Sequence, residues 1–514
     1  MAVVAPHRSD DRAGRPARDP GAAPSAAPPR RRWQPPGLST LFTAVFALFG
    51  WGVGIERLSD NSFFWHLRTG EYILDHGIPH SDIYSYTAPG VKWVAQSWLA
   101  ELLYGVLDRA FGPFAIRVLG GVVGALVGVL AFRLALRLSR ERVRAALLTV
   151  AALGGLYTLW SERPLLLGVF FLLVLLWVVE VPDSLAGRHP LVSLPLLFWF
   201  WANVHGTFAL GFAYLALHLM GRWFDGAPPE QGRERKLLMG SALALGVTFV
   251  NPYGLSLVLF PIDLLRRGDI LRHIVEWASP DFHNVRGQAL ILWVAVFAVV
   301  LARGAHRASR RDLTVALPFL ALALWALRNV ALAPLVCLPI AARAVAVDPA
   351  DARSEDARAT ERRAPIGWAL ALVLAVVAAS LGLRAHGEPN FALKSYPVAA
   401  MNAVEHQGLL GKRLLTDDAD AGYVILAYYP QQKVFIDDRY DMYPRPVIDA
   451  FFALENGLPG WAHRLDEYNV DVVVWNKDKP LAQYLANDRH WHRTYRDKND
   501  VVYVRNGTKS GADT

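Results

Sequence analysis

Long apolar runs separated by short clusters of arginine constrain the fold of this 514-residue chain more than any other feature. A helix needs about 20 mostly apolar residues to cross the hydrocarbon core of a membrane. Eleven runs reach or approach that length, so the pattern predicts a polytopic α-helical membrane protein. The eleven predicted spans are residues 38–58, 114–136, 143–160, 164–181, 190–204, 206–221, 237–253, 288–303, 312–327, 330–347 and 366–384.

The basic charge of the chain indicates a membrane topology rather than nucleic-acid binding. The net charge is +8, and seven of the nine lysines follow residue 390, so arginine supplies nearly all cations before that point. Arginine in short loops between apolar runs marks the cytoplasmic side, and we expect no nucleic-acid partner. The single cysteine, Cys337, excludes an internal disulfide. The loops predicted to be cytoplasmic contain residues 133–144, Arg188, 222–236, 303–311 and 343–363.

The same charge pattern, together with changes in composition, predicts the domain organisation. Residues 1–36 are rich in Ala, Pro, Asp and Arg and are expected to form a disordered cytoplasmic tail. Residues 37–387 are expected to form the transmembrane bundle, with external loops at 58–113 and 254–287. Residues 388–508 alternate helical and strand patterns, which predicts a small extracytoplasmic α/β domain. A disordered tail, 509–514, is expected to follow it.

The external loops and the C-terminal domain have their own predicted elements. Amphipathic helices are expected over 63–76 and 96–111, with Trp and Tyr at the membrane interface. The loop at 254–287 contains Pro261 and Gly268, which should interrupt it, and it is interpreted as interfacial or re-entrant. In the C-terminal domain we predict helices over 398–408, 447–454, 461–468 and 481–487, and strands over 413–415, 433–436, 470–474 and 501–504.

Acidic residues just outside the first span are candidates for chemistry, because charges beside a membrane are costly to keep. Asp60 lies two residues past this span, Glu56 lies four residues earlier and would share a helix face with it, and Asp82 lies further along the loop. A carboxylate here can act as a general base toward a hydroxyl or hold a divalent cation. The structural alternative is that Asp60 caps the next helix, because residues 59–62 read SDNS.

Histidines and arginines on the outer side are candidates for binding substrate. His66 either binds phosphate or relays a proton, or it bonds only to backbone or water. Arginine in a tight hairpin between apolar helices finds few partners other than a carboxylate or a phosphate. The candidate binding residues are Glu56, Arg163, His205, Arg328, Arg272 and His273.

Two further patterns limit the function. Residues 437–441 follow a predicted strand and form either a site or a charged turn with an internal Asp–Arg pair. No P-loop, GxGxxG, HExxH or GxSxG motif is present, which argues against an ATP-driven pump and the usual serine hydrolases.

The order of these features resembles the integral-membrane glycosyltransferases of the GT-C fold. The chain has, in order, an arginine-rich tail, a first span, an acid just outside it, a long first loop, many further spans and an extracytoplasmic C-terminal domain. The resemblance covers nearly the whole chain after residue 37. Four motifs resemble a pattern in bacterial members of this group: Asp60-x5-His66-Leu67-x2-Gly70, Ile78-Pro79-x2-Asp82-x-Tyr84-Ser85, Trp98-Leu99-x-Glu101 and Phe435-Ile436-Asp437-x-Arg439-x-Asp441-x-Tyr443.

The resemblance implies a reaction and a location. A sugar would pass from a polyprenyl-phosphate carrier to a glycan, lipid or protein acceptor on the outer face of the bacterial plasma membrane. Asp60 matches the acid that is catalytic or metal-binding in this group. Members often have a second acid nearby, but this chain has Asn61 and Ser62 there, which leaves Asp82 or Glu56 as the second carboxylate. A divalent cation, Mg²⁺ or Mn²⁺, on Asp60 and Asp82 therefore stays an open alternative.

Two other functions fit the same sequence. A polymerase or ligase that moves whole lipid-linked glycans would depend on the external arginines and histidines more than on Asp60. A transporter, flippase or assembly protein for envelope polymers would carry ionisable groups at mid-membrane. The middles of the predicted spans are nearly free of charge, so the transporter ranks third.

Overall fold

The computed structural model describes residues 36–157, 160–271, 274–348 and 364–509, and it is mostly helical. The predicted tail over 1–36 therefore lies almost entirely outside the described residues, as does most of 509–514. A helix coincides with each of the eleven apolar runs. These helices are α1 (Leu38–Gly54), α4 (Pro113–Ser139), α5 (Arg142–Tyr157), α6 (Leu165–Glu180), α8 (Pro190–Val204), α9 (Phe208–Phe224), α10 (Gly232–Thr248), α13 (Val285–Arg303), α14 (Arg310–Trp325), α15 (Leu332–Ala344) and α16 (Ala364–Gly387).

Several of these helices have the length and apolar composition of membrane-spanning segments. Within the described ranges, four segments are long and apolar enough to cross a membrane: Pro113–Ser139, Val285–Arg303, Leu327–Ala344 and Ile366–Gly387. Helix α16 leaves Leu372 and Val376 more than half exposed on its outer face. Such apolar faces are typical of a membrane protein, because contact with lipid is favourable for them and contact with water is not. How many of the other helices also cross the membrane stays a prediction.

Helix α15 lies at the centre of the bundle. Helices α1 and α4 make a close backbone contact. The residues of α15 are almost all buried. A Cβ atom on Gly54 would lie 2.2 Å from the carbonyl oxygen of Gly120, and one on Gly50 would lie 1.9 Å from that of Gly124. Small residues let membrane helices approach this closely. The contact holds the C-terminal end of α1, which precedes Asp60, against α4.

The two helices predicted in the first external loop are confirmed, as α2 (Asn61–His76) and α3 (Trp98–Phe111). One interpretation is wrong. Glu56 and Asp60 do not share a helix face, because α1 ends at Gly54 and Asp60 is the N-cap of α2. The chain turns between the two helices, so the two carboxylates belong to different elements.

The segment 254–287, predicted to be an external loop, contains α11 (Leu255–Arg266) and the short α12 (Gly268–Leu271). The predicted break at Pro261 is wrong, because α11 continues through it. A short helix α7 (Leu185–Arg188) connects α6 and α8 at the other end of the bundle.

The C-terminal segment contains a four-stranded sheet with the order β1-β2-β4-β3, in which β1 and β2 are parallel and the other pairs antiparallel. The predicted strand over 433–436 forms only single bridges, at Val434. Strand β3 was not predicted, because its polar sequence WHRTYR lacks an apolar alternation. The strands are β1 (Leu414–Leu415), β2 (Val472–Asn476), β3 (Trp491–Arg496) and β4 (Asp500–Arg505), and the helices are α17 (Val398–His406), α18 (Asp418–Tyr428), α19 (Arg445–Glu455), α20 (Trp461–Glu467) and α21 (Pro480–Ala486).

The loop over residues 58–113 and the C-terminal segment share one hydrophobic core. Phe63, Phe64 and Trp93 of the loop belong to the same buried cluster as Val434 and Phe435. Ser85 forms a parallel bridge with Val434, so the loop also adds to the edge of the sheet. The predicted domain boundary at residue 388 therefore separates two sequence regions that pack together.

Candidate functional site

A cavity of about 540 Å³ lies where this shared core meets one end of the bundle. The loops that precede α6 and α15, and the one that follows α8, contribute side chains to it, and so do α2 and the C-terminal segment. Four residues that the sequence nominated line it: His66, Arg163, His205 and Arg328. They come from distant parts of the sequence, and only the packing of the helices brings them together.

Asp60 is joined to this cavity through Arg163. Both carboxylate oxygens of Asp60 lie 2.8 Å from Nε of Arg163, which itself lines the cavity. The same carboxylate accepts a hydrogen bond from the backbone N–H of Phe63 at 3.1 Å, so the predicted N-cap is confirmed. Glu276 binds the other side of Arg163, at 2.7 Å from Nη1. Arg163 is therefore held between two carboxylates, and Asp60 fixes its position.

Arg328 is a cavity arginine that forms no ion pair or hydrogen bond with a carboxylate among the described residues, although it lies within the electrostatic influence of Glu276. Its guanidinium lies 4.4 Å from the ring centroid of Trp277, a cation–π contact that leaves its N–H donors unbonded within the described ranges. The side chain is half-buried. A half-buried guanidinium with free donors is suited to bind an anion with paired oxygens.

His205 is a neutral donor in the same wall. The backbone N–H of Thr207 donates to its Nδ1 at 3.2 Å, which assigns the ring proton to Nε2. Burial lowers the pKa of His205 to about 3. The imidazole thus stays neutral at physiological pH and presents one N–H donor.

His66 forms a buried pair with Glu101, a residue that the sequence nominated only as part of a motif. Nδ1 of His66 lies 2.7 Å from Oε1 of Glu101, and both residues line the cavity. Burial lowers the pKa of His66 and raises the pKa of Glu101 to about 8. The signal for Glu101 was present in the sequence, since it is an acid on the apolar face of a Trp- and Leu-rich helix.

The C-terminal segment supplies Asp438, which sequence reasoning treated only as part of an acidic turn. Its carboxylate accepts a hydrogen bond from Nε1 of Trp65 at 2.6 Å and another from the hydroxyl of Ser62. Burial raises the pKa of Asp438 to about 6. These contacts join the C-terminal segment to α2 at the cavity wall.

Asp82 lies in a buried ion cluster beside the cavity and does not itself line it. Arg439 binds Asp82 at 2.7 Å and Asp437 at 2.7 and 2.8 Å, and its guanidinium lies 4.3 Å from the ring centroid of Trp93. The predicted internal Asp–Arg pair over 437–441 is confirmed. Arg439 also lines the cavity, so this cluster supports one of its walls.

The remaining nominated residues lie elsewhere. Glu56 is exposed and does not line the cavity, because it follows the end of α1 on the outer surface of the turn. Arg272 and His273 lie outside the described residues. Where the structure describes the chain, no group of three or more His, Cys, Asp or Glu side chains is placed to hold a metal ion. Asp60 and Asp82, the two carboxylates nominated for a cation, are each already paired with an arginine, so this donor set does not fit a divalent cation.

No family model and no curated protein matches the sequence. Solved structures do match the fold. ArnT from Cupriavidus metallidurans, in the apo state, is similar with a TM-score of 0.51 at 15% identity, over 90% of this chain and 97% of that chain. The archaeal oligosaccharyltransferase AglB from Archaeoglobus fulgidus, solved with an inhibitory peptide and a dolichol-phosphate, gives a TM-score of 0.49 at 12% identity, over 86% of this chain and 70% of that chain.

Similarity at this level of identity identifies the fold and not the reaction. The likeness to ArnT extends over nearly the whole of both chains, and it agrees with the resemblance in the sequence. The chain therefore shares the fold of ArnT, as the resemblance to the GT-C fold implied.

Proposed function

We propose that this chain is a membrane glycosyltransferase that moves a sugar from a polyprenyl-phosphate carrier to an acceptor on the extracytoplasmic face. The observation that carries the proposal is Arg328, a half-buried cation in the cavity with no carboxylate partner in the described part of the chain. In a GT-C fold, an unpaired arginine at this end of the bundle suits the phosphate of a lipid-linked donor.

The phosphate end of the cavity would comprise Arg328, Arg163 and His205. The two guanidinium groups and the Nε2–H of His205 supply donors for the phosphate oxygens. As the bond between the anomeric carbon and the phosphate oxygen breaks, the phosphate keeps the electron pair and gains charge. Donors already in place stabilise that charge without reorganising. Asp60 would act by holding Arg163 in position for this step.

The proton of the acceptor hydroxyl would pass to His66. Its Nε2 makes no hydrogen bond to a described residue, while Nδ1 is held by Glu101. The acceptor oxygen would form its bond to the anomeric carbon as the carrier phosphate leaves. The His66–Glu101 pair is thus a candidate for the general base. Asp60, the base that the sequence resemblance implies, is already bound by Arg163 on both oxygens.

The proposed orientation follows from the two ends of the bundle. Arginines concentrate at the end opposite to the cavity, where Arg137, Arg222 and Arg343 lie near the ends of α4, α9 and α15. By the positive-inside rule that end would be cytoplasmic. The cavity and the C-terminal segment would then face the outside of the bacterial plasma membrane, where nucleotide sugars are absent.

The experiment measures release of polyprenyl phosphate by purified protein from a panel of synthetic polyprenyl-phosphate sugars, with a bacterial envelope extract present to supply acceptor hydroxyls and a parallel reaction without it as the blank for hydrolysis. We expect the wild type to turn over at least one donor and Arg328→Gln to lose that activity while still accumulating in membranes. Arg286→Gln is the matched control, because Arg286 is exposed and does not line the cavity. Equal rates in Arg328→Gln and the wild type would reject the phosphate site.

A second function, a polymerase or ligase that moves whole lipid-linked glycans, is favoured by the paired state of Asp60. Such an enzyme would rely on Arg328 and His205 for its carrier phosphate. If Asp60→Ala keeps its activity while Arg328→Gln and His205→Gln lose theirs, transfer of whole lipid-linked glycans is the better supported function.

A further inference from the structure

A second cavity, of about 630 Å³, lies at the opposite end of the bundle from the first. It is formed where α4, α6 and α15 end and where α14 begins, whereas the first cavity lies near the starts of α6 and α15. The two cavities have no lining residue in common among the described residues. The proposed transfer reaction therefore gives the second cavity no role.

The inner wall of this cavity is a buried charged network that is neutral as a whole. The carboxylate of Glu180 binds Arg311 and also Arg343, the latter at 2.6 Å. Oδ1 of Asp312 accepts hydrogen bonds from the same two arginines, at 2.8 Å each. His218 accepts a hydrogen bond from Nε of Arg311 at 3.2 Å. Two carboxylates thus balance two guanidinium groups, and this wall has no excess charge to attract an ion.

The rim, in contrast, has excess positive charge. Seven arginines and four carboxylates line the cavity. Arg140, Arg233 and Arg307 have no carboxylate partner in the described ranges. Within the described part of the chain, Arg233 donates to backbone carbonyls alone, among them those of Val178 at 2.8 Å and Gly187 at 2.9 Å. Arg140 and Arg307 are exposed, and their side chains bond to no described residue. Asp225 also lines the cavity and accepts hydrogen bonds from the backbone N–H groups of Arg310 and Arg311, with no described arginine side chain bound to it. Among the described residues, three unpaired guanidinium groups therefore outnumber one unpaired carboxylate around this cavity.

We propose that this cavity binds a phosphate group, held by Arg140, Arg233 and Arg307. A guanidinium presents parallel N–H donors that match two phosphate oxygens. Basic pockets between membrane helices on the cytoplasmic side bind phosphorylated lipid headgroups, and this end is the cytoplasmic one in the proposed orientation. The phosphate belongs either to an anionic lipid headgroup or to a soluble phosphate, which offer the same oxygens to the rim.

The test uses the purified full-length protein in a neutral detergent, titrated separately with dioctanoyl phosphatidic acid and with inorganic phosphate. The double variant Arg140→Gln/Arg307→Gln removes two rim charges from exposed positions. The matched control is Arg188→Gln/Arg303→Gln, which removes the same charge from exposed positions outside the cavity. The readout is the Kd of each probe by calorimetry, with the melting temperature of every variant as a check of folding.

We expect the rim double variant to raise the Kd of at least one probe by about tenfold, as the loss of charge-assisted hydrogen bonds predicts. The control should change it by no more than about twofold, since exposed charges are screened. An effect on the lipid probe alone identifies a headgroup site, and an effect on both probes identifies a site for phosphate itself. Failure of both probes to saturate the wild type, or an equal loss in the two double variants, overturns the proposal.

Discussion

The carboxyl of Glu101 and the imidazole of His66 form one hydrogen-bonded unit in the wall of the 540 Å³ cavity, with Oε1 2.7 Å from Nδ1. Burial raises the pKa of Glu101 to about 8, so the carboxyl is protonated at neutral pH. Its O–H then donates a hydrogen bond to Nδ1. The ring then carries its own proton on Nε2. After Glu101 loses its proton, the ring proton moves to Nδ1, and Nε2 becomes free to accept one.

This relationship predicts a pH dependence of transfer. If the acceptor proton passes to Nε2 of His66, the rate should rise with pH and level off above the pKa of Glu101, which is about 8. Glu101→Gln cannot titrate, so it should remove this inflection and slow transfer by about 100-fold or more. The measurement is the initial rate of polyprenyl-phosphate release at pH values below and above the pKa of Glu101. A wild-type profile that is flat through pH 8 would contradict the assignment.

Two variants of Asp60 distinguish the role of its charge from its role as the N-cap of α2. Asp60→Asn keeps an N-cap side chain for α2 but loses the charge that holds Arg163. We expect it to lose transfer activity at nearly unchanged stability. Asp60→Ala should also destabilise the protein by about 1 kcal/mol, because the cap is lost as well. Transfer activity and thermal unfolding are measured for both variants and for the wild type. Full activity in Asp60→Asn would show that the charge is not required.

The buried cluster around Arg439 should be necessary for folding. Arg439→Gln would leave the carboxylates of Asp82 and Asp437 buried beside a neutral side chain. Removing one partner of a buried ion pair costs about 3–5 kcal/mol. We therefore expect a lower melting temperature and less protein in membranes. Arg496→Gln, at an exposed position on β3, is the control and should behave as the wild type.

The contact between α1 and α4 should tolerate no side chain at Gly54. A Cβ there would lie 2.2 Å from the carbonyl oxygen of Gly120, so Gly54→Ala must push the helices apart. We expect less folded protein in detergent, measured by size-exclusion chromatography. Gly154→Ala in α5 is the control, because no atom lies within 4 Å of its added Cβ. Alanine there should keep or slightly raise stability. Equal yields of the two variants would argue against close packing.

Local features of the sequence were sufficient to predict much of the fold. Run length and apolar content predicted the positions of eleven helices, and amphipathic periodicity predicted α2 and α3. Both signals act within one segment, where helix formation satisfies the backbone whatever the partners are. Strand β3 was missed because an edge strand with one buried residue has no apolar alternation.

The sequence by itself determined which segments are helical and which ionisable residues are rare enough to be candidates. Only the tertiary structure decided their pairing: Arg163 with Asp60, 103 residues away, and Arg439 with Asp82, 357 residues away. It also left Arg328 unpaired among the described residues and placed Glu56 outside the cavity. The physical reason is that a charge of one sign can be neutralised by any charge of the other sign. The packing of helices and loops, and not residue type, selects which partner comes within hydrogen-bonding distance.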